Sequence, residues 1–405
     1  MALNAWQKIT RVLPGKPFGD GKDGDYSSSS IPTMTRQSCS GSANSTTLSL
    51  GAAGFTNGDI VLIHQTRGTG AGQWEINQVS SGGGTTSLTL KVALKYTYTD
   101  SGASQAQVVK IPRYKNVTVP SGATWTVPGW DGNVGGILAF ACNGVFTPTG
   151  TISANSAGHS GGGGGLVQQN SNAHGVQGEG TGGAGARGVQ SANGSGGGAG
   201  LCIIPGYGGG GGGGGGGNGV AGSAGGDIWA SNVPGSAGSS AGSSDLIKMA
   251  LGGGGAGGGA DAYADSETST GGAGGKGAGI VLIIGKTINA PTSIVSNGAN
   301  GSNAGTVGGS YRHAGGGGGG AGGSILIMGH TVNIGTNKLS TTAGAGGAPS
   351  RSEGNNGGAG GKGRIAVYYG KSLSGSVSST YYGTLTTEKD TGLVEAQGVG
   401  TYWFV

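Results

Sequence analysis

Runs of glycine broken at intervals by short, almost wholly apolar segments limit most tightly what this chain can fold into. Residues 207–217 read YGGGGGGGGGG, 251–260 LGGGGAGGGA and 314–323 AGGGGGGAGG, whereas ILAFA (137–141), IVLII (280–284) and ILIM (325–328) stand before, between and after them. Polyglycine alone has the composition of a flexible linker, because glycine loses more backbone entropy on ordering than any other residue. A segment such as IVLII would be insoluble if a disordered chain left it exposed. It has to be buried, and its burial fixes the ends of the adjoining glycine runs. Runs held side by side can each take the extended left-handed helix of three residues per turn, with N–H groups reaching C=O groups on neighbouring runs. An ordered polyglycine II bundle is therefore expected between about residues 158 and 363; a disordered linker and another glycine-rich β arrangement are the alternatives. Collagen is excluded, since G-X-Y is not kept in register and only 11 prolines are present.

The apolar phrases recur. GGILAFACNG (135–144), GAGIVLIIGKTI (277–288), GGSILIMGHTVNI (322–334) and GKGRIAVYYGKSL (361–373) are each followed by a turn, and the first three by a second short strand-like phrase. Ile280, Ile325 and Ile365 mark an internal repeat of about 40–45 residues. Strands that are apolar on both faces belong inside a packed stack, so a layered solenoid or sandwich is predicted, with the glycine excursions extending away together.

Residues 1–128 differ in composition. They hold 16 of the 102 glycines and 11 Lys/Arg against 6 Asp/Glu, so the net charge of +5 resides there. TTLSL, DIVLIHQT, QWEINQVS and TTSLTLKVAL follow one another with Gly, Asn and Ser turns between them, and Leu88, Leu90 and Val92 alternate onto one face. The predicted architecture is mainly β: an attachment segment (1–35) with a helical turn at 5–12, standing outside any core; an antiparallel β-sandwich or barrel (36–128); a glycine-rich repeat region (129–370); and a C-terminal β segment (371–405). The closing TYWFV is too apolar to hang free and is expected to dock in a core or between subunits.

The tracts GHSGGGGG (158–165), GGAGARG (182–188), 207–217, 251–260 and 314–323, interleaved with irregular polar segments, resemble the glycine-rich receptor-binding adhesins at T-even-type phage tail-fibre tips. The resemblance is compositional and covers roughly half the chain. It implies a polyglycine II scaffold whose intervening segments are host-binding loops. FGDGKDGD (18–25), and GDIVLIHQT with QWEINQV, are similar to the leading segments of phage fibre and bacterial surface proteins.

Signatures of chemistry are absent from the sequence. GxGxxG carries no weight where a quarter of the residues are glycine, and IGKTI (284–288) has Ile280 where a P-loop needs glycine. His64, His159, His174, His313 and His330 have no metalloprotease spacing, and no nucleophile elbow occurs. Asp261, Asp265 and Glu267 read as solvated loop charges rather than as a depolymerase pair. Asp20, Asp23 and Asp25 read as a polar turn; a cation there is the alternative. Cys39, Cys142 and Cys202 lack metal spacing and read as small buried residues. No catalytic residue, metal or cofactor is assigned, and the scattered basic charges do not form a nucleic-acid surface. Neither a secretion signal nor a run of roughly 18 apolar residues is present.

Ligand recognition requires exposed aromatic and polar groups on a firm base. Tyr207, Trp229, Tyr263, Tyr311, Arg312 and His313 stand in the irregular segments and are the candidate receptor-binding residues. The expected role is that of a non-enzymatic virion protein, a phage tail-fibre or tail-tip adhesin outside the host cell. Its expected partners are other tail proteins through the N-terminal region, a host-surface glycan or outer-membrane protein, and further copies of itself. A self-assembling filament or sheath subunit is the alternative, and ice binding by a flat glycine bundle is a third.

Overall fold

A computed structural model describes residues 6–10, 12–13, 15–166, 173–202, 210–227, 234–260, 268–307, 314–350, 355–390, 393–395 and 402–404. Six antiparallel strands close into a barrel in the order Arg36–Ser40, Thr47–Leu50, Ser87–Leu90, Trp74–Ser81, Ile60–Arg67 and Gln105–Lys110. The sequence left sandwich and barrel open; closure removes the sheet edges that a sandwich would leave. Thr47–Leu50 and Ser87–Leu90 alternate exposed and buried residues, with Leu48, Leu50, Leu88 and Leu90 turned inward. Val92, expected on the same face, lies past the strand end and is half-buried. Ile60–Arg67 is buried along nearly its whole length because it is covered twice. Val61 and Ile63 pack inside the barrel, while Ile60 and Leu62 join a second core with Trp74, Ile76 and Val109.

That second core lies within a stack of parallel strands. Ile137–Phe146, Ile280–Asn289, Ser324–Thr336, Arg364–Ser376 and Thr384–Lys389 pair in parallel, and Thr124–Thr126, Thr151–Ser153, Ile294–Val295 and Leu339–Ser340 form a second parallel sheet. Each predicted repeat thus places a long strand in one sheet and, except in the last, a short strand in the other. The register aligns Val281, Ile325 and Ile365, one residue off the Ile280–Ile325 spacing. Thr124–Thr126, expected in the antiparallel domain, belongs instead to the parallel stack. The IGKTI phrase lies in strand Ile280–Asn289. Ile280 to Ile284 are essentially inaccessible, and burying each such side chain contributes about 1.5–3 kcal/mol.

The N-terminal segment corrects the expectation that it stands outside any core. Helix Gln7–Thr10 and the turns after it bury Trp6, Ile9, Val12 and Phe18 in the core shared by barrel and stack, with Trp6 edge-on to Phe18. Their size and spacing are those of core residues, which the brevity of the segment obscured. The three aspartates do make a turn, and each binds the 113–116 segment. Asp20 pairs with the Arg113 guanidinium, Asp23 accepts the Arg113 N–H, and Asp25 accepts from Asn116. All three cysteines are free and buried. At the other end, Leu393–Glu395 and Tyr402–Phe404 pair antiparallel; the side chains of TYWFV lie outside the described residues.

The glycine tracts hydrogen-bond to one another with a period of three. In tract 210–219, Gly211, Gly214 and Gly217 donate to Leu201, Gly198 and Ser195; Gly212 and Gly215 donate to Gly226 and Ser223; Gly213 and Gly216 donate to Gly316 and Gly319. The same tract accepts from three further neighbours, through Gly253, Ala256 and Gly259, through Gly235, Gly238 and Ala241, and through Gly358 and Gly361. Tracts 250–260 and 314–323 are surrounded in the same way, so the longest glycine runs are the central ones. A Cβ at Gly213 would lie 2.1 Å from the Ala256 carbonyl oxygen, which explains the composition. The exclusion of side chains is not absolute, since Ala256 and Ala321 are fully buried within central tracts. Outer tracts carry side chains on the free side. Asn297, Asn300 and Asn303 accept from the N–H groups of Thr342, Ala345 and Ala348 at 2.8, 2.9 and 2.8 Å.

Candidate functional site

The six candidate residues, Tyr207, Trp229, Tyr263, Tyr311, Arg312 and His313, lie outside the described residues, as do Asp261, Asp265 and Glu267. The chain on either side of them is described, and it converges. Six segments interrupt the tracts: 167–172, 203–209, 228–233, 261–267, 308–313 and 351–354. Their flanks meet at one end of the bundle. Gly165 N–H donates to Gly258 (2.9 Å), Ala260 to Ala173 (2.9 Å), Gly211 to Leu201 (2.8 Å), Gly226 to Asn356 (2.7 Å) and Gly315 to Gly259 (2.9 Å). The Asn355 side chain donates to Gly210 O at 2.7 Å, and Ala314 N–H to Ser350 Oγ at 2.9 Å. Thr268–Thr270 pairs antiparallel with Gly305–Val307, and Leu166 bridges to Thr270.

The described chain at this end is tied together through backbone hydrogen bonds. Ala173, Ala260 and Ala314 form a buried pad of methyl groups beneath it. Leu166 is 57% exposed at its rim, an apolar side chain facing solvent beside the first interruption. His174 Nδ1 accepts the Cys202 N–H at 3.3 Å, which places the ring proton of the neutral form on Nε2, and Arg187 donates to the His174 carbonyl. Sequence reasoning marked four of these segments, through Tyr207, Trp229, Tyr263 and the 311–313 triplet, and did not bring the six together. The convergence itself has no local signal, since it follows from the alternating directions of the tracts.

The opposite end is joined to the barrel by a buried polar cluster that the sequence did not reveal. Arg67 at the end of a barrel strand pairs with Glu179 of the bundle, which also accepts from Trp130 Nε1 (2.8 Å) and Ser160 N–H (3.0 Å). Burial alone would raise the Glu179 pKa; His159 and these donors outweigh it and hold the carboxyl down at about 2. At 3.9 Å His159 Nδ1 is too far from Glu179 Oε1 for a hydrogen bond, and both ring nitrogens lack hydrogen-bond partners. Nearby, Gly68 N–H donates to Thr181 O, Trp74 Nε1 to Leu246 O and Lys8 Nζ to Ile247 O. His64 Nε2 donates to Met249 O at 2.8 Å. Arg364 pins the far side, donating to Ala241 O, Asn218 O and Thr384 Oγ1. Among the described residues no three His, Cys, Asp or Glu side chains group as a metal site, and no helix is long and apolar enough to cross a membrane.

No family model matches the chain, and no curated protein matches it. One solved structure similar to part of it is the Gp54 tailspike of Acinetobacter baumannii bacteriophage AP22 in complex with A. baumannii capsular saccharide. The two are 12% identical over 32% of this chain and 30% of the tailspike, with a TM-score of 0.19, so the likeness spans under a third of either and carries no argument about fold or function.

Proposed function

We propose that the chain is a non-enzymatic phage tail-fibre or tail-tip adhesin whose glycine tracts form a polyglycine II bundle that presents host-binding loops. The observation that carries this reading is the convergence of all six tract interruptions on one end of the bundle, with the barrel joined to the other. An enzyme needs a few groups placed within a fraction of an ångström, whereas a multi-loop end on a preordered base suits recognition, where rigidity limits the entropy lost on contact. The threefold hydrogen-bond period and the six neighbours of each central tract support the polyglycine II assignment. Tyr207, Trp229, Tyr263, Tyr311, Arg312 and His313 supply the aromatic and polar contacts to a host-surface glycan or outer-membrane protein. The aspartate turn at 20–25 is exposed and offers a face for neighbouring tail proteins.

A filament or sheath subunit is the second reading, favoured by Thr384–Lys389, the terminal strand of its sheet, whose outer edge no described strand covers. Glu388 and Lys389 are exposed on that strand, and charges at an edge discourage strand-to-strand growth.

Labelled protein screened against a panel of bacterial strains tests the proposal. Wild type should adsorb to a subset of strains, and exchanging the six interruptions for Gly-Ser segments of equal length should abolish adsorption without lowering the melting temperature. Undiminished adsorption by the exchanged protein would reject the reading. Sedimentation showing long polymers of wild type would favour the filament.

A further inference from the structure

We infer that the barrel carries a second ligand site, a hydroxyl-lined groove that takes a neutral glycan. The groove, of about 510 Å³, lies between strands Arg36–Ser40 and Thr47–Leu50, the turn joining them, and residues 97–101. Ser40, Ser45, Thr47, Ser49, Thr97 and Thr99 are among the residues that supply its hydroxyl groups. Asp100 is the one carboxylate in its lining, where Oδ1 accepts from Gln105 Nε2, and no lysine, arginine or histidine lines it. Gly41 and Tyr98 exchange backbone hydrogen bonds of 3.0 and 2.8 Å, which joins the two walls.

Two of the hydroxyls are held in place by the backbone. Thr97 Oγ1 accepts the Ala43 N–H at 3.1 Å and Ser45 Oγ accepts the Thr47 N–H at 3.0 Å, so each keeps its own proton for another acceptor. The pattern continues beyond the groove. Ser40 pairs with Ser49, Ser49 with Ser87 and Thr47 with Thr89, and Thr47, Ser49, Ser87 and Thr89 are all exposed. This barrel face therefore presents rows of hydroxyls at the strand spacing of about 4.8 Å.

The chemistry selects the ligand class. A hydroxyl both donates and accepts, which matches the hydroxyls of a sugar group for group. An anionic ligand would lose hydration with no cation to replace it and would face Asp100. An apolar segment would bury these hydroxyls unpaired, at about 1–3 kcal/mol each. Two residues beyond Ser101, Ala103 meets Gly183 at the end of the bundle next to the barrel, so this groove is remote from the six interruptions and independent of the role given to them.

The test uses the full chain on immobilised maltohexaose, mannotriose and chitotriose, with a hyaluronan tetrasaccharide as the anionic comparison. At least one neutral glycan should be retained, with a signal unchanged between about 50 and 500 mM salt. Ser49→Trp, which fills the groove from an exposed strand position, should lower that signal about tenfold or more. Thr97→Val, which removes one hydroxyl at nearly constant shape, should lower it several-fold and serves alone if the tryptophan variant fails to fold. Retention of the hyaluronan fragment only, no retention of any neutral glycan, or undiminished retention by folded variants would each overturn the assignment.

Discussion

The Arg67 guanidinium, on the barrel, and the Glu179 carboxylate, on the glycine bundle, form an ion pair with side-chain exposures of only 13% and 7%. Residues this far apart in sequence meet only after both units have formed, so the pair reports on their docking. Glu179→Ala would leave the guanidinium, the Trp130 indole N–H and the Ser160 N–H without their acceptor. It should destabilise the protein by about 3–5 kcal/mol in urea unfolding. Arg67→Met with Glu179→Leu, which removes both charges, should recover most of that loss.

Acid should loosen the same junction in two stages. Burial, partly offset by the hydrogen bond to Met249 O, lowers the His64 pKa from 6.5 to about 4, so the folded state holds the ring neutral where the unfolded chain would protonate it. That contribution is complete above pH 6.5 and is lost as pH falls to 4. Glu179, held down at about 2 from an ordinary 4.5, contributes above pH 4.5 and loses that contribution as pH falls towards 2. Each amounts to about 3 kcal/mol. Melting temperatures followed from pH 7 to pH 3 should fall in both windows, and His64→Gln, which can still donate to Met249 O, should flatten the upper one.

Position within the bundle should decide how a glycine tolerates substitution. A Cβ at Gly212 would lie 2.0 Å from the Asn356 carbonyl oxygen, whereas a Cβ at exposed Gly163 would meet only the Val176 side chain, at 3.9 Å. Gly212→Val should cost about 3 kcal/mol or more, because backbone must move. Gly163→Ala should stay within about 0.5 kcal/mol. Equal melting of the two variants would contradict close packing of the tracts.

Hydrogen exchange should separate the bundle from a linker. The N–H groups of Gly214, Ala256 and Gly318 each donate to a neighbouring tract, at 3.0, 2.8 and 2.8 Å. Peptides from 210–219, 250–260 and 314–323 should therefore exchange as slowly as those from Ile280–Asn289. Exchange at the rate of free glycine peptides would eliminate the ordered bundle.

The parallel strands were legible because burial on both faces leaves an unbroken apolar run, as in 280–284, and because the run recurs. The inward side of Thr47–Leu50 and Ser87–Leu90 was legible from alternation. The N-terminal segment was misread because Trp6, Ile9, Val12 and Phe18 sit among polar and charged neighbours, and a helix of one turn leaves no period to detect. Thr124–Thr126 was read into the wrong sheet because a three-residue strand looks the same in parallel and antiparallel pairing. The Arg67–Glu179 junction had no sequence signal, since two isolated charges acquire meaning only when the tract order brings them together. For the candidate site, aromatic residues among the glycine tracts marked four of the six interruptions, but the gathering of all six at one end depended on the pairing of tracts that are nearly identical in composition.

The hydrogen bonds of the central tracts run from tract to tract, across the bundle. A pull on the interrupted end, transmitted towards the barrel, would load many of those bonds together in shear instead of opening them one at a time. Tract 210–219 has six neighbours over which to spread such a load, and no single rupture frees it. A bundle built this way would act as a mechanical clamp, able to stay folded under a load applied between its two ends.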